Sequence, residues 1–169
     1  MRNQKLQIDS GRGMPADRIE REIDIDAPID VVWAVITEPE HITNWFTDMA
    51  EVDVRAGGEG RVGWDRAGRD EQYVVNLRVE RLEPPNFFAF RWGHPDGEDA
   101  TETNATLVEF GLEERGSSTR LRLVESGFER IARSDDEKET FFGEHSRGWV
   151  TIVERLRDYA PTQRGGVAG

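Results

Sequence analysis

Apolar positions in this chain alternate with a period of two through most of its length and switch to a helical period only near the start and near the end. Ile19, Ile23 and Ile25 share one side of an alternating run interrupted by Arg21, which predicts a first strand. Ile29, Val32, Trp33 and Ile36 then recur at helical spacing, with Asp26 placed to cap that helix and Pro28 inside its first turn. Pro39 restarts the chain into a second short helix carrying Ile42, Trp45 and Phe46. Strand patterns follow. Val52 and Val54 precede the turn Gly57-Gly58-Glu59-Gly60, and Val62 and Trp64 follow it. After a polar turn around Ala67 and Gly68 come Tyr73, Val75, Leu77 and Val79, the cleanest alternation in the chain. Pro84-Pro85-Asn86 turns back into Phe88, Phe90 and Trp92, and a loop beginning at His94 leads to Thr106, Val108, Phe110 and Leu112. A hairpin turn at Arg115 to Ser118 returns the chain to Leu121 and Leu123. Ser134-Asp135-Asp136-Glu137 has the form of a helix start, a capping serine with acids at the positive end of the dipole. From there Phe142, His145, Trp149, Val153 and Leu156 step along one face of a long helix. Gly148 costs roughly 1 kcal/mol of helix propensity, and its expected use is to let the helix approach the sheet closely.

The order is strand, two short helices, about six more strands and a long helix. That is an α+β architecture: a curved antiparallel sheet of about seven strands wrapped around the C-terminal helix, with the two short helices between strands one and two. Such a wrap leaves room for a hollow between sheet and helix. Residues 1–17 and 161–169 are polar and without periodicity, so flexible ends are expected around one domain at 18–160. A chain of 169 residues suits one such domain.

Composition narrows the function classes. The formal net charge of −12 is poorly suited to displacing phosphate counterions, so neither nucleic acid nor an anionic membrane surface is an expected partner. No apolar run approaches the ~20 residues of a membrane span, and residues 1–17 lack the apolar core of a signal peptide. The absence of cysteine removes thiol chemistry and thiolate metal sites. A cytoplasmic location fits all of this. The basic residues are nearly all arginine, as in a GC-rich bacterial genome.

With its elements in this order the chain resembles the SRPBCC (START/Bet v 1-like, helix-grip) superfamily, in the branch named after the activator of heat-shock protein 90 ATPase. The pieces that carry the resemblance are Ala27-Pro28 with Val32-Trp33, Thr37 to His41, Trp45-Phe46, Gly57-Gly58, Pro84-Pro85 before Phe88 to Trp92, Leu107 to Phe110, Leu121 to Phe128, and Gly148-Trp149 with Leu156. They run in order from about Ile19 to Ala160. The resemblance implies the helix-grip fold, and a cavity that in many members takes an apolar ligand. It also invites a co-chaperone reading. Because only about seventeen polar residues precede the first strand, a chaperone partner is not expected.

Five tryptophans is a high count for one small domain. Trp45, Phe46, Trp64, Tyr73, Phe90, Trp92, Phe110 and Trp149 point by parity and spacing toward one interior, either as packed core or as the walls of a ligand site. His145 lies on the apolar stripe of the last helix, as a core histidine or as a polar anchor. Glu125 shares parity with Leu121 and Leu123. It is either a strand-end residue at the solvent edge or an inward carboxylate whose pKa burial would raise. His41 should sit on a helix surface and His94 in a loop. The three histidines have no ligand spacing, so neither a metal nor a cofactor is expected. The Gly57–Gly60 turn leads into a strand, not a helix, and cannot cradle a phosphate. His145 and Ser146 point about 100° apart on a helix and form no nucleophile dyad.

The leading reading is therefore binding of a small hydrophobic or aromatic ligand between sheet and last helix, with Trp45, Phe46, Trp64, Tyr73, Phe90, Trp92, Phe110, Glu125, His145 and Trp149 as the candidate contacts and no catalytic residue assigned. Two alternatives stand beside it. One is a cyclase- or dehydratase-type enzyme, which requires His145 and Glu125 to meet in one pocket. The other is a co-chaperone-like interaction domain, which requires an exposed docking patch. A homodimer is compatible with each.

Overall fold

The computed structural model describes residues 18–65, 72–93, 98–101 and 103–164. The expected turn at Ala67-Gly68, most of the loop beginning at His94, the segment 1–17 and residues 165–169 lie outside the described residues. Strand β1 is Arg18–Ile25, followed by helices α1 (Ile29–Thr37) and α2 (Pro39–Ile42). Strands β2 (Met49–Val52), β3 (Glu59–Asp65), β4 (Gln72–Glu83), β5 (Phe87–Gly93), β6 (Ala105–Arg115) and β7 (Ser118–Ser126) come next, and helix α3 (Asp135–Tyr159) closes the chain. The seven strands form one antiparallel sheet in the order β1-β7-β6-β5-β4-β3-β2. This is the expected α+β helix-grip architecture.

Register aligns the inward residues of successive strands. Val79 faces Phe90, Phe90 faces Val108, and Phe110 faces Leu123. One side of the sheet is thus a continuous apolar surface. Its β1 edge is closed against α3 by Arg21, which breaks the isoleucine alternation for a reason: its guanidinium donates to the Ser146 carbonyl and hydroxyl at 3.1 and 3.0 Å.

Several local expectations change. Pro28, not Asp26, precedes the first turn of α1, its carbonyl accepting from Val31 and Val32 at 3.1 Å each. Asp26 lies too early to reach those amides and faces Arg164 at 3.3 Å. His41 is not a surface residue. Its Nδ1 lies 2.8 Å from the Tyr159 hydroxyl, tying α2 to the end of α3. After α3 the chain continues through a 3-10 turn at Ala160–Gln163. Ser134 does cap α3, in a reciprocal capping box with Glu137. On α3 the face toward the sheet carries Phe141, with Phe142 turned half aside, ahead of Trp149, Val153 and Leu156.

Candidate functional site

The site is built around the end of β7. Leu121, Leu123 and Glu125 point to the same side, and all three are fully buried. What covers the strand end is the chain that follows it. Gly127 adopts a φ of +96°, a left-handed conformation open to glycine at no steric cost, and turns the backbone sharply. Phe128, in the short 3-10 turn Phe128–Arg130, then packs its ring 5.6 Å from Phe141, 5.0 Å from Phe142 and 5.8 Å from His145. That anchor lays α3 over the strand end that would otherwise meet water.

Glu125, 0% exposed, is satisfied by donors from three elements. Trp92 Nε1 on β5 donates to Oε2 at 2.9 Å, and Thr106 Oγ1 on β6 donates to the same oxygen at 2.6 Å. Trp149 Nε1 on α3 donates to Oε1 at 2.8 Å, and His145 Nδ1 stands 2.9 Å from both carboxylate oxygens. Burial pushes the Glu125 carboxyl up, but attraction to His145 and the hydrogen bonds from His145, Thr106 and Trp149 outweigh it and hold the group below its ordinary 4.5. The expected upward shift is therefore reversed: the surroundings are apolar in outline, but every described contact to the carboxylate is a donor. An ionised carboxylate only accepts, so the proton between the two side chains belongs to His145 Nδ1.

On the other side of these rings lies a cavity of about 520 Å³ that opens to the surface. Among the described residues its walls are Trp64, Tyr73, Trp92, Phe141, His145, Trp149 and Ile152, with Gly148 in the helix wall and Arg133 and Glu144 as charged members. Trp64 stacks on Tyr73 at 5.9 Å and is held by its indole N–H on the Phe46 carbonyl at 3.1 Å. A Cβ built on Gly148 meets nothing within 4 Å. Gly148 thus keeps space open; it is not a point where helix and sheet approach closely.

Of the ten residues singled out from sequence, Trp64, Tyr73, Trp92, His145 and Trp149 come together on this wall, and Glu125 lies directly behind it without reaching the cavity. Trp45, Phe46, Phe90 and Phe110 are placed differently. They pack with Phe88 under α1 and α2, where Trp45 stacks on Phe46 at 5.4 Å and its N–H bonds the Val35 carbonyl at 2.9 Å. The void among them is about 10 Å³, no more than a single water needs. Three of these rings also reach the wall: Phe46 lies 5.4 Å from Trp149 and 5.5 Å from Trp92, Phe90 lies 5.7 Å from Trp92, and Phe110 lies 6.2 Å from Trp149. Sequence reasoning missed Thr106, Phe141, Arg133, Glu144, Gly148 and Ile152 as site residues. A threonine on the otherwise apolar stripe Thr106, Val108, Phe110, Leu112 was the available signal for the first. Nothing in the sequence pattern marked Arg133.

A second depression, about 630 Å³, lies on the opposite face of the sheet, over β2, β3 and β4. It is polar, and its charges are neutralised locally, as by Arg61 on Glu51 at 2.6 Å. None of its described lining residues is a buried polar group of the Glu125 kind. No group of three or more metal-ligating side chains occurs among the described residues. No described helix is long and apolar enough to cross a membrane.

Comparison with solved structures places this geometry in context. Protein MLL2253 from Mesorhizobium loti is 23% identical, with a TM-score of 0.66, over 83% of this chain and 94% of that one. DynU16, a protein of the dynemicin biosynthetic locus, is 24% identical with a TM-score of 0.65 over 89% of this chain, which spans about half of DynU16 (49%). The Aha1 dimer from Colwellia psychrerythraea is 18% identical with a TM-score of 0.61, over 83% of this chain and 93% of that one. At these identities the likeness is one of fold. No curated protein matches the chain significantly. Residues 26–160 match the family model described as Activator of Hsp90 ATPase homolog 1-like protein. The chain belongs to that family, the branch of the SRPBCC superfamily whose ordered pieces its sequence carries.

Proposed function

We propose that the protein binds a small, planar, mostly apolar ligand in the aromatic cavity beneath the first half of α3. The observation that carries this reading is an open space of about 520 Å³ whose walls are rings, three of them fixed from behind by one buried carboxylate. That volume lies in the range of small-molecule sites, and walls of this kind, apolar with a few placed polar groups, are their usual make-up. Rings that cannot turn lose little freedom when a ligand arrives, which favours affinity. A chaperone-docking role receives less support, because the only large apolar side chain exposed among the described residues is Val150, at 47%. The Colwellia dimer is compatible with a homodimer here, and nothing in the cavity requires a second copy.

The test is a fluorescence titration with the neutral probe N-phenyl-1-naphthylamine, alongside native mass spectrometry of protein purified from its own host. Saturable one-to-one binding is expected, weakened by Trp64→Ala, together with a co-purifying small molecule. Absence of saturable binding and of any co-purifying molecule would overturn the reading.

A further inference from the structure

The aromatic cavity does not end at its rings. A second depression of about 260 Å³ adjoins it, and the two share Arg133, Phe141 and Glu144 as lining residues. The rest of this annex is Asp136, Glu137 and Thr140, on the first turns of α3, so among its described lining residues Phe141 is the one ring. Three carboxylates there face one guanidinium, a net charge of −2. The positive end of the helix offsets about half a charge and leaves the annex anionic. Glu137 is partly committed, its carboxylate accepting from the Ser134 amide at 3.0 Å in the capping box. Asp136 and Glu144 are exposed and take no part in that box. Arg133 is drawn over the Phe141 ring, its guanidinium carbon 5.6 Å from the centroid. A group that projects past Phe141 from a molecule seated in the chamber therefore meets carboxylates. The net charge of −12 adds a long-range field that draws cations toward the protein and repels anions.

We propose that the site takes a planar aromatic amine, its ring in the chamber and its protonated amino chain running into the annex toward Asp136 and Glu144. This rests on the ligand-binding reading above and adds a charge and a length to it. Burial of the ring supplies most of the affinity. The acids select the chain. Each is exposed, so each contact has the strength of a surface ion pair, a few-fold in affinity, and the Thr140 hydroxyl adds an acceptor. A chain ending in a carboxylate would find Arg133 but would face Asp136 and Glu144 as well. Discrimination thus comes from repulsion of the wrong sign as much as from attraction of the right one.

The test uses three fluorescent probes that share a dansyl head: dansylcadaverine with an ammonium chain, N-butyl dansylamide with a neutral chain, and dansylaminohexanoate with a carboxylate chain. At low salt the ammonium probe is expected to bind about 5- to 10-fold more tightly than the neutral one, and high salt should shrink the difference. Glu144→Gln and Asp136→Asn should each weaken the ammonium probe by about 2- to 5-fold and leave N-phenyl-1-naphthylamine unchanged. Glu139→Gln makes the same change of charge at an exposed residue of α3 outside both depressions, and should leave every probe unchanged. Equal affinity for the ammonium and neutral probes, preference for the carboxylate probe, or an equal response to Glu139→Gln and Glu144→Gln overturns the proposal. So does binding of N-phenyl-1-naphthylamine with no dansyl probe bound. Each of these leaves the binding reading intact as long as N-phenyl-1-naphthylamine still saturates. Binding of none of the four probes overturns both readings.

Discussion

Replacing Gly148 should stabilise the protein while closing its cavity, a combination that few helix substitutions share. Gly148 lies in the interior of α3, and its neighbours one turn away on either side, Glu144 and Ile152, both line the cavity. A Cβ added there finds nothing within 4 Å, so the ordinary steric penalty is absent. What remains is backbone entropy: glycine in a helix interior is roughly 0.5–1 kcal/mol less favourable than alanine. Gly148→Ala should recover about that much, raising the melting temperature by about 1–4 °C for a chain of this size. Gly148→Leu should keep most of the gain, since leucine is nearly as good a helix former. Its isobutyl group would project into the space between Trp64, Tyr73 and Trp149. Urea unfolding measures the first effect as a change in midpoint at constant slope. Titration with N-phenyl-1-naphthylamine measures the second, with affinity reduced in the alanine variant and lost in the leucine variant. Destabilisation by 1 kcal/mol or more in both variants would mean that α3 presses on the sheet at this point, and the reasoning would fail. Stabilisation with unchanged probe affinity would locate the binding site elsewhere.

Two other substitutions separate wall from core. Trp149→Ala removes a buried ring and one donor to Glu125, and should cost roughly 3–5 kcal/mol in urea unfolding. Trp64→Ala, half-buried on the cavity wall, should cost clearly less while weakening the probe; equal costs would contradict the assignment. The pH dependence follows from Glu125, whose folded pKa lies below its ordinary 4.5. Its contribution to stability is full above about that pH and is lost as pH falls through the folded value. Glu125→Gln should therefore flatten the acid limb of a stability-versus-pH curve in that window, and an unchanged limb would refute the ionised state.

Much of the fold was legible because each element carries one dominant period. Tyr73 to Val79 alternate cleanly, β4 is a strand, and the serine and acids at 134–137 begin a helix where the periodicity changes. The glutamate was harder to read. Parity pointed it inward, but position at the end of a strand argued for solvent, and the decision rested on how the chain turned afterwards. Gly127 and Phe128 made that decision through a left-handed turn and an aromatic anchor, features whose consequence depends on contacts with α3 far along the chain. Gly148 was misread for a similar reason. A glycine in an amphipathic helix signals either close approach or open space, and the sequence carries no sign to choose between them. Among the aromatic residues the division into buried core and half-buried cavity wall was invisible, since both uses demand the same parity.

That division has a physical origin in hydrogen bonding. Under α1 and α2 the rings have no common polar partner. They settle face to face or edge to face, as Trp45 does on Phe46 and Phe88 on Phe110, and almost no volume is left. Under the first half of α3 the geometry is set by an acceptor. Trp92, Trp149 and His145 must each bring an N–H to the same carboxylate, so three rings converge on one point and cannot also close over each other's outer faces. Any collapse that filled the cavity would pull a donor from a buried charge, at a cost of about 1–3 kcal/mol or more for each lost partner. The space beside them is thus maintained by the same contacts that neutralise Glu125. A wall built this way stays open without a ligand and presents His145 to whatever enters in one fixed orientation.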